Sequence, residues 1–561
     1  MSAADVVVVG SGAAGLTAAV TAASQGLSVV VVEKDAVCGG ATAWSGGWIW
    51  VPCNPRSRAD GIVETLDGAR NYLEHELGAR FDAARVDALL EQGPAMISSL
   101  ESQPSVAFVS GTHIADIHGR TPGAGTGGRS VAPAPYDARA MKPALLAILR
   151  APKYETSLLG LGIMSGPDLY AFLNATKSLR AFAYVARRFA RHGWDLATRR
   201  RSLQLVNGPA LVARLLVAAD AQGVAVRVSS PATALVVEDG AVRGVVIDGR
   251  ETIRARRGVV LAAGGFAHDA ARRDTLEPRV GGRGAAWALP PPAVTGDGLR
   301  LAASAGARVT ADVASPIAWC PVSEVRYRDG SVGLYPHIVD RGKPGLIGVL
   351  ASGARFCNEA DGYHDYVSAM LDALPPGAEA VSWLICDHAF QRRYPFGMSK
   401  PFPFPAGPYL RSGYLTRAPT LRALAQACGI DADGLERTVA AYNVHARQGE
   451  DPAFGRGSTP FNRGAGDPSH RPNPCVAPIE RAPFYAIKVR PGSFGTFAGL
   501  ACDARARVLD AAGAPIPGLY AAGGDQANVM AGHYPSGGIN LGPAMTFAYI
   551  AGRDLGASPD S

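Results

Sequence analysis

The sequence predicts an α/β fold in which a second, α+β domain is inserted into a doubly wound α/β domain. Three observations predict this fold class. An apolar run at 5–9 leads into a glycine turn at 10–15, and a helical segment and a second apolar run follow the turn. Two more apolar runs, at 258–265 and 518–525, carry paired glycines near their carboxyl ends. The stretch from about 275 to 490 between them contains many prolines and differs in composition.

The first element is a βαβ unit with the spacing that binds a dinucleotide. Gly10 permits the tight turn, Gly12 lets the backbone approach a pyrophosphate, and Gly15 lets the helix pack on the strand. The free N–H groups and the dipole of the helix N-terminus then face the phosphates. Glu33 lies about 20 residues beyond the glycines, where a carboxylate can hold ribose hydroxyls. The predicted elements of this unit are a strand at 5–9, a helix at 16–24 and a strand at 27–32.

A second glycine-rich segment, at 39–47, follows this unit directly. It contains too many glycines for the interior of a helix or a strand. Its backbone is therefore expected to approach something large, and an isoalloxazine ring is the natural candidate. This favours FAD over NAD. Because no second GxGxxG turn follows a strand elsewhere in the chain, a separate NAD-binding domain is not expected.

These glycine-rich elements resemble the Rossmann-like FAD-binding fold of the fumarate reductase and 3-ketosteroid dehydrogenase flavoproteins. The resemblance spans nearly the whole chain and is strongest at 5–50, 205–265 and 490–555. It implies that Gly524 and Asp525 lie near the ribityl–phosphate region. Relatives that attach FAD covalently use a histidine in the second glycine segment, which has none here, so non-covalent FAD is implied. The FAD contacts that the resemblance implies are Gly10, Gly12, Ala13, Ala14, Gly15, Glu33, Lys34, Gly40, Ala41, Thr42, Ser45, Gly46, Gly47, Ala232, Ala263, Gly264, Gly524, Asp525, Asn540 and Leu541.

The resemblance and the change in composition divide the chain into an FAD-binding domain that is interrupted by a substrate domain. The predicted pieces are residues 1–274 (FAD-binding, first part), 275–490 (catalytic α+β domain) and 491–561 (FAD-binding, last part). A hairpin turn is predicted at 238–240 between two apolar runs. The other predicted elements are a helix at 210–221, strands at 224–228, 232–237 and 242–248, and a final helix from about 542 to 555.

Composition and charge exclude several classes of protein. The 561 residues are 47% hydrophobic, which is ordinary for a globular enzyme, and no uncharged apolar run is long enough to span a membrane. The net charge of +7 favours anionic contacts, but no nucleic-acid-binding motif is present. The eight cysteines form no CxxC pair and no Cys/His cluster, so we expect reduced thiols and no metal. With no signal peptide before the first strand, a cytoplasmic location is expected.

A helical stretch at 167–201 carries an unusual basic face. Arg180, Arg187, Arg188 and Arg191 fall mostly on one side, with aromatic and aliphatic side chains nearby. Three interpretations stay open for this stretch: a solvated surface helix, a contact with a membrane surface, and a lid over the active site.

The segment 532–544 is rich in glycine and proline, and a loop of this kind offers N–H groups to an oxyanion. It resembles the loop of 3-ketosteroid dehydrogenases in which a tyrosine and a glycine four residues later bind the substrate ketone. The resemblance implies that Tyr534 and Gly538 polarise a carbonyl and stabilise its enolate. Ser536, which we assign to the substrate site, stands where Δ1-dehydrogenases usually have glycine. In this respect the loop is more similar to that of the Δ4-(5α)-dehydrogenases.

A second segment, 353–363, resembles the family's G-x-R-F-x-N-E motif. Fumarate reductases place a proton-donating arginine four residues after the glutamate, whereas ketosteroid dehydrogenases place a tyrosine base there. The residue at this position is Tyr363, which the resemblance implies is the base that removes the α-proton. Glu359 and Arg355 are expected to form a structural pair.

Three positions argue against a fumarate reductase. The family's substrate histidine aligns with Gly495, its carboxylate-binding arginine with Asn540, and its acid arginine with Tyr363. A dicarboxylate needs cations to offset its desolvation, and these positions supply none. A neutral, apolar ketone fits better, either a 3-oxosteroid or a smaller cyclohexanone.

Two further residues are assigned to the substrate pocket. Phe497 is expected to limit the size of the pocket, and Ile117 stands where Δ1-dehydrogenases have a second tyrosine that supports the base. His118 or His113 could take the place of that tyrosine, although a lone surface histidine is the simpler expectation.

The expected reaction is the introduction of a C=C bond α,β to a ketone in a cyclic substrate. The resemblance implies that Tyr363 takes the α-proton, that flavin N5 takes the β-hydride, and that an external acceptor such as a quinone or O2 reoxidises the flavin. Two alternatives stay open: an enone or fumarate-type reductase that runs the reverse reaction, and a non-catalytic flavin redox module. The loop around Tyr534 argues against the module, because a sensor needs no oxyanion site.

Overall fold

The computed structural model describes residues 2–280, 284–375 and 377–557. The strands in these ranges are β1 (Ser2–Val9), β2 (Val29–Val32), β3 (Ile49–Trp50), β4 (Phe108–Ser110), β5 (Ser130–Pro133), β6 (Tyr136–Asp137), β7 (Gln204–Leu205), β8 (Ala225–Arg227), β9 (Ala232–Glu238), β10 (Ala241–Ile247), β11 (Glu251–Leu261), β12 (Val309–Thr310), β13 (Ile317–Arg326), β14 (Val332–Pro336), β15 (Leu346–Val349), β16 (Ser382–Cys386), β17 (Thr416–Ala418), β18 (Phe484–Thr496), β19 (Gly499–Leu500), β20 (Arg507–Leu509) and β21 (Pro515–Ala521). The helices are α1 (Ala13–Ala23), α2 (Pro55–Ala59), α3 (Leu66–Leu77), α4 (Ala83–Glu101), α5 (Pro143–Ile148), α6 (Pro167–Leu173), α7 (Leu179–Arg199), α8 (Asn207–Ala221), α9 (Ala270–Leu276), α10 (Asp297–Ala303), α11 (Tyr363–Ala373), α12 (His388–Arg393), α13 (Gly407–Arg411), α14 (Leu421–Cys428), α15 (Ala432–Ala446), α16 (Pro460–Ala465) and α17 (Leu541–Ala557).

The larger of the two main sheets has eight strands in the order β20–β21–β11–β1–β2–β8, with β10 and β9 continuing from β11. β1 is parallel to β2 and β11, and β11 is parallel to β21. The strand β1 is buried on both faces, as the continuous valine run of a parallel strand requires. Val9 pairs with both Val32 and Leu261, so the loops after these strands meet at one edge of the sheet. The predicted Rossmann-like unit is confirmed, and this edge is where such sheets bind ligands.

The predicted hairpin turn at 238–240 is also confirmed. β9 and β10 pair antiparallel across it. Asp239 and Gly240 have φ values of 50° and 75°. Two successive positive φ values are typical of a type I′ turn, whose twist matches that of the flanking strands.

The second sheet has six strands in the order β14–β13–β18–β16–β15, with β17 beside β18. All of its pairings are antiparallel, in agreement with the predicted α+β character of the middle of the chain. The domain boundaries at 274 and 490 stay predictions. β18 runs through residue 490 as one continuous strand.

Several predicted element boundaries differ from the structure. The helix predicted at 16–24 begins earlier, at Ala13, because Gly12 is the last residue with extended backbone angles. The stretch 167–201 contains two helices, α6 and α7, and the hydroxyl of Ser178 caps the second. The other predicted helices and strands keep their type and shift by one to three residues at their ends.

Only a small part of the surface of α7 is buried against the rest of the protein. His192 and Asp195 are its buried residues. Phe182, Val185 and Phe189 on the same helix line the large cavity described below, which fits the lid interpretation of this stretch. Among the described residues, no helix is both long enough and apolar enough to cross a bilayer.

Candidate active site

A large cavity, of about 2480 Å³, lies between the carboxyl edge of the eight-stranded sheet and the second sheet. Val9, Val32 and Ala262 line it at or just after the ends of β1, β2 and β11, while Tyr335 and Phe494 line it from β14 and β18. Small-molecule pockets usually measure about 300–1,000 Å³. The cavity therefore has room for a dinucleotide and for a second molecule beside it.

The glycine turn has the geometry that a dinucleotide needs. Gly10 has a φ of +107°, and a Cβ atom there would lie 2.2 Å from the carbonyl oxygen of Ala262. A Cβ atom on Gly15 would lie 1.9 Å from the carbonyl oxygen of Gly10, so helix and turn can pack only without it. A Cβ atom on Gly12 would meet only the Thr42 hydroxyl, at 3.5 Å. Gly12 thus leaves the backbone open to a pyrophosphate.

The N-terminus of α1 is open to this cavity. Gly12, Ala13 and Ala14 line the cavity, and the first turn of the helix has neither a side-chain cap nor an acidic residue. Glu33 also lines it and is held in place by Ser11, whose backbone N–H (3.1 Å) and hydroxyl (2.6 Å) donate to Glu33 Oε2. The phosphates and a ribose of FAD fit this arrangement.

The segment at 39–47 lines the cavity, and its glycines are required for different reasons. Gly40 has open space where a Cβ atom would stand, as a close approach of the flavin would need. A Cβ atom on Gly47 would instead lie 2.7 Å from the carbonyl carbon of Asn207, so Gly47 is required by packing within the protein. Thr42 Oγ1 accepts a hydrogen bond from the N–H of Ala13 (3.0 Å) and ties the segment to α1.

Asp525 lies inside the protein and not in the cavity wall. Its carboxylate accepts hydrogen bonds from the N–H groups of Ala263 (2.5 Å) and Gly265 (2.9 Å). Burial raises the pKa of Asp525 to about 6, although the two N–H groups favour its ionised form. Asp525 therefore joins the turn after β21 to the turn after β11, and direct contact with FAD stays a prediction.

Most of the predicted FAD contacts line the cavity. Gly15 and Asp525 do not, because the first packs against the glycine turn and the second is buried behind the wall. The predicted contacts that line it are Gly10, Gly12, Ala13, Ala14, Glu33, Lys34, Gly40, Ala41, Thr42, Ser45, Gly46, Gly47, Ala232, Ala263, Gly264, Gly524, Asn540 and Leu541.

Two tyrosines that are 171 positions apart in the chain meet at the cavity wall. Tyr363 is the first residue of α11, and Tyr534 lies in the loop before α17. The Tyr363 hydroxyl donates to Tyr534 Oη at 2.8 Å, and the two rings meet edge to face. Asn540 Nδ2 donates to the same oxygen at 2.9 Å. The hydroxyl proton of Tyr534 is therefore left for an acceptor in the cavity.

Both tyrosine hydroxyls are held in the neutral form. Burial raises the pKa of Tyr363 well above its ordinary value of 10.0, and the neighbouring Tyr534 raises it further, while the charge of Arg341 acts in the opposite direction. Burial also raises the pKa of Tyr534, although the hydrogen bond from Tyr363 opposes this shift. Tyr534 is therefore suited to donate a hydrogen bond at neutral pH, and loss of a proton from Tyr363 is costly.

Gly538 lines the same part of the cavity with a φ of +103°. A Cβ atom there would lie 2.7 Å from the backbone nitrogen of Trp50, so only glycine fits. Within the described ranges, the Gly538 N–H makes no hydrogen bond. Tyr72 supports the loop from behind, because its hydroxyl donates to the carbonyl oxygen of Pro535 at 2.7 Å. The Gly538 N–H is thus free to donate to a ligand.

The three residues that we assign to the substrate pocket lie behind the cavity wall. Ile117, Phe497 and Ser536 are each at most 2% exposed, and none of them lines the cavity. The N–H of Ile117 donates to Pro535 (2.8 Å), and the ring of Phe497 packs against that of Tyr534. The Ser536 hydroxyl has no hydrogen-bond partner in the part of the chain that is described. In this structure they support the tyrosine loop, and direct substrate contact stays a prediction.

The expectation that His118 is a lone surface histidine is wrong. Its Nδ1 lies 2.5 Å from Glu76 Oε2, and its Nε2 lies 3.2 Å from Asp365 Oδ2. Burial opposes the charged ring, but the hydrogen bonds and charges of Asp365 and Glu76 raise the pKa of His118 to about 10. The protonated ring therefore links α3 to the first turn of α11, which carries Tyr363. His113, by contrast, lines the cavity beside Trp48.

The substitution His118→Gln is expected to destabilise the protein most at low pH. A histidine whose pKa is raised on folding adds stability that is complete below its unfolded pKa of 6.5 and is lost as the pH rises towards about 10. Thermal unfolding of both proteins between these pH values should therefore give a Tm difference that shrinks with pH. His75→Gln, on an exposed histidine of α3, is the matched control. A Tm difference between wild type and His118→Gln that stays constant with pH would contradict the stabilising role of the protonated ring.

The expected pair of Glu359 and Arg355 is confirmed. Arg355 Nε and Nη2 donate to the two carboxylate oxygens of Glu359 at 2.8 and 2.7 Å. Arg456 and Asp451 extend the pair into a buried network, through contacts of 3.0 Å to Glu359 and 2.8 Å to Arg355. Burial opposes the ionised form of Glu359, but the two arginines lower its pKa. The network holds the turn that leads into Tyr363.

Several contacts of this site have no signal in the sequence. Asn540, which is expected at FAD, also donates to Tyr534. Phe494 presents its ring to Tyr363 at a centroid distance of 5.1 Å. Asp365 lies two residues after Tyr363, and this proximity is the one signal that could have indicated it. Among the described residues, no three His, Cys, Asp or Glu side chains are grouped so that they could hold a metal.

Comparison with known proteins identifies the family. The model of the FAD binding domain family matches residues 5–541. A 4-oxocyclohex-2-ene-1-carboxylate 5-dehydrogenase from Sinomonas cyclohexanicum is 41% identical, over 98% of this chain and 93% of its own length. A 3-oxosteroid 1-dehydrogenase from Mycolicibacterium smegmatis is 37% identical, over 99% of this chain and 97% of its own. The solved structure of 3-ketosteroid Δ1-dehydrogenase from Sterolibacterium denitrificans, in complex with 1,4-androstadiene-3,17-dione, matches with a TM-score of 0.91 and 34% identity over 100% of both chains.

These similarities confirm the predicted fold class, FAD as the cofactor, and the resemblance to the ketosteroid dehydrogenase flavoproteins. Non-covalent attachment of FAD stays a prediction. The chain belongs to the FAD binding domain family, as an FAD-dependent oxidoreductase similar to the 3-oxosteroid and 4-oxocyclohexene-carboxylate dehydrogenases.

Proposed function

We propose that this protein catalyses the α,β-dehydrogenation of a cyclic ketone. The observation that carries the proposal is the pair of hydroxyls of Tyr363 and Tyr534, 2.8 Å apart, beside the free N–H of Gly538 in the cavity. This part of the wall offers two donors to a carbonyl oxygen and, next to them, a group that can take a proton. The relatives are named for dehydrogenations of ring ketones, which supports the same class of reaction.

Tyr534 and Gly538 bind the ketone oxygen in this proposal. Because burial raises its pKa, Tyr534 keeps its proton and donates it in a hydrogen bond to the carbonyl. The two hydrogen bonds withdraw electron density from the carbonyl, so the proton on the α-carbon becomes more acidic and the enolate that forms is stabilised. Asn540 keeps the Tyr534 oxygen in position by donating to it.

Tyr363 removes the α-proton in this proposal, as its phenolate. Two features favour that negative charge: the position of Tyr363 at the N-terminus of α11, and the positive charge of Arg341. Glu359, His118 and their partners fix the turn and the helix that carry the tyrosine, and so set the direction of its hydroxyl. FAD bound in the cavity would supply the oxidant, as an acceptor for the hydride from the β-carbon, and the loss of both hydrogens would leave a C=C bond in the ring.

Product analysis tests this function. The protein is incubated with a 3-oxosteroid, with cyclohexanone derivatives and with succinate, in the presence of an artificial electron acceptor. We expect a ketone product that is lighter by two hydrogen atoms and carries an α,β-double bond. Conversion of succinate alone would contradict the proposal. In a second assay, with an enone and a reduced artificial electron donor, reduction of the enone without any forward reaction would favour the reductase alternative. The absence of conversion in both assays would favour the redox module.

We further propose that α7 contacts an anionic membrane surface and that an external acceptor such as a quinone takes the electrons. Leu179 and Trp194 on this helix are 89% and 68% exposed. Arg180 and Arg187 form no ion pair with any described residue. Exposed apolar side chains beside unpaired arginines are typical of helices that lie in a membrane interface.

Sedimentation with lipid vesicles tests the contact of α7 with membranes. Vesicles that contain phosphatidylglycerol are expected to bind the protein better than pure phosphatidylcholine vesicles. The double change Leu179→Ser and Trp194→Ser should lower binding several-fold, because the apolar area that enters the interface is lost. Val63→Ser is the matched control, since Val63 is 96% exposed elsewhere on the protein. Equal binding by all variants would contradict the contact.

A further inference from the structure

A small three-stranded sheet, in the order β3–β5–β4, lies behind the loop that carries Gly538. Its central strand, β5, begins at Ser130, which pairs with Trp50 of β3. Both residues are buried, and neither lines the cavity. The sheet can therefore act on the proposed ketone site only through the loop.

The sheet holds the peptide groups on both sides of the Gly538 α-carbon. The Ser130 hydroxyl donates to the carbonyl oxygen of Gly537 at 2.8 Å, and the Trp50 N–H donates to that of Gly538 at 3.1 Å. The Gly538 carbonyl also accepts from the N–H of Gly542 at 2.8 Å. The Gly537 carbonyl, by contrast, has Ser130 as its one donor among the residues that the structure describes. The orientation of the peptide between Gly537 and Gly538 thus depends on a single hydroxyl.

This peptide contains the N–H group that is proposed to bind the ketone. The peptide is trans, and the C=O and N–H groups of a planar trans peptide point in opposite directions. The C=O of Gly537 points back to the buried Ser130. The N–H of Gly538 therefore points the other way, towards the cavity that both glycines line.

The Ser130 hydroxyl also makes this N–H a stronger donor. A hydrogen bond to the carbonyl oxygen withdraws electron density from the peptide, and hydrogen bonds in a chain polarise one another where water is excluded. The chain here runs from the Ser130 hydroxyl through the Gly537 carbonyl and the Gly538 N–H to the oxygen of a bound ligand. The gain is largest when that oxygen carries negative charge, as the oxygen of an enolate does.

The Ser130 hydroxyl is itself held in place. Its strand pairs with β3 on one side and β4 on the other, and the carbonyl oxygen of Ser130 accepts from the N–H of Gly111 at 2.8 Å. The preceding residue, Arg129, donates to Asp116 at 2.5 Å, and Asp116 also accepts from the indole N–H of Trp50 at 3.1 Å. A donor that is fixed in advance needs no reorganisation when charge develops on the ketone oxygen.

We propose that Ser130 is a positioning residue of the ketone site, which directs the Gly538 N–H at the enolate oxygen and polarises it. This role rests on the proposed dehydrogenation, in which Gly538 is a donor to the ketone. The enolate is a stronger acceptor than the ketone, so Ser130→Ala should lower kcat and change KM little. We expect kcat to fall about 5- to 50-fold, which is less than the usual effect of deleting an oxyanion donor.

The experiment measures how strongly the FAD-loaded protein favours the ionised form of 4-fluorophenol, whose phenolate resembles an enolate. Fluorine NMR of the bound phenol, followed between about pH 6 and pH 11, gives the pKa of its hydroxyl, which is about 10 for an ordinary phenol. In the wild type, the donors of the site should lower this pKa. In Ser130→Ala, the preference for phenolate over phenol should be about 3- to 30-fold weaker.

Tyr72→Phe is the matched comparison, because the Tyr72 hydroxyl supports the same loop at a different peptide. It donates to the carbonyl oxygen of Pro535, which keeps the N–H of Ile117 as a second donor at 2.8 Å. Tyr72→Phe should therefore change the preference for phenolate clearly less than Ser130→Ala does. Ser130→Cys, whose thiol is a weak donor, should give an intermediate value, and it decides the test if Ser130→Ala loses flavin or has a much lower Tm.

An unchanged preference for phenolate in Ser130→Ala and Ser130→Cys, or an equally large change in Tyr72→Phe, would overturn the role of Ser130. The second result would mean that the loop as a whole, and not the peptide before Gly538, determines the strength of the donor. Failure of the proposed function would look different. The wild type itself would then bind 4-fluorophenol without lowering its pKa, and the ketone site and the role of Ser130 would both be contradicted.

Discussion

Tyr363→Phe is expected to lower kcat by about 10²–10⁴-fold and to leave FAD bound. The change removes one oxygen atom, the proposed acceptor of the α-proton. The ring can keep its edge-to-face contacts with Phe494 and Tyr534, so the wall of the cavity should retain its shape. The rate of flavin reduction by substrate, measured by stopped flow alongside the flavin content, checks this result.

Tyr442→Phe is the matched control for this change. Its hydroxyl is buried and has no partner in the described residues, and the residue does not line the cavity. This variant should react at a rate close to that of the wild type. A normal rate in Tyr363→Phe would remove Tyr363 from the mechanism.

The rate of flavin reduction in the wild type should depend on pH because Tyr363 is the base. The base acts as a phenolate, and burial raises the pKa of Tyr363 above 10.0, so the reactive fraction is small at neutral pH. Below that pKa, the phenolate fraction grows about tenfold for each pH unit. The rate of flavin reduction should therefore rise from neutral to alkaline pH in the wild type. The residual rate of Tyr363→Phe should not show this rise.

Tyr534→Phe is expected to lower kcat/KM by about 10²–10³-fold, the usual effect of removing one oxyanion donor. The N–H of Gly538 remains, so some stabilisation of the enolate survives. The change also leaves Tyr363 and Asn540 Nδ2 without their shared acceptor. Steady-state kinetics with the best ketone, together with the flavin content and the Tm, measure the effect.

Asn540→Ala is the comparison for Tyr534→Phe, because Asn540 positions the Tyr534 oxygen. Its flavin content is measured alongside, since Asn540 is also a predicted FAD contact. Asn540→Ala should reduce kcat/KM clearly less than Tyr534→Phe does. If Asn540→Ala reduced kcat/KM as much as Tyr534→Phe, the Tyr534 hydroxyl would not be the main donor to the ketone.

The part of the protein that binds FAD could be predicted well because its signals are local. The spacing of Gly10, Gly12 and Gly15, with the valine runs on both sides, determines a strand, a turn and a helix over a few residues. Gly10 and Gly15 have steric reasons within the protein, and Gly12 is open to the cavity, as the spacing predicts. Tyr363 and Tyr534 could be paired only through the family resemblance, since 171 positions separate them.

The support of the tyrosine loop could not be predicted in the same way. Packing between distant elements decides whether a side chain lines the cavity or lies behind its wall. Ile117, Phe497 and Ser536 lie behind the wall, and no local pattern indicates this. The ion pairs of His118 join residues 42 and 247 positions away, so no local pattern indicates them.

The measurement that tests the central claim most directly is the visible absorbance of the flavin under anaerobic conditions, with a cyclic ketone added and no other electron acceptor. Each ketone is compared with succinate, and the wild-type protein is compared with Tyr363→Phe. We predict that the ketone bleaches the flavin in the wild type, that succinate does not, and that bleaching in Tyr363→Phe is slower by at least about 10²-fold. Bleaching by succinate alone, or equally fast bleaching in Tyr363→Phe, would contradict the account.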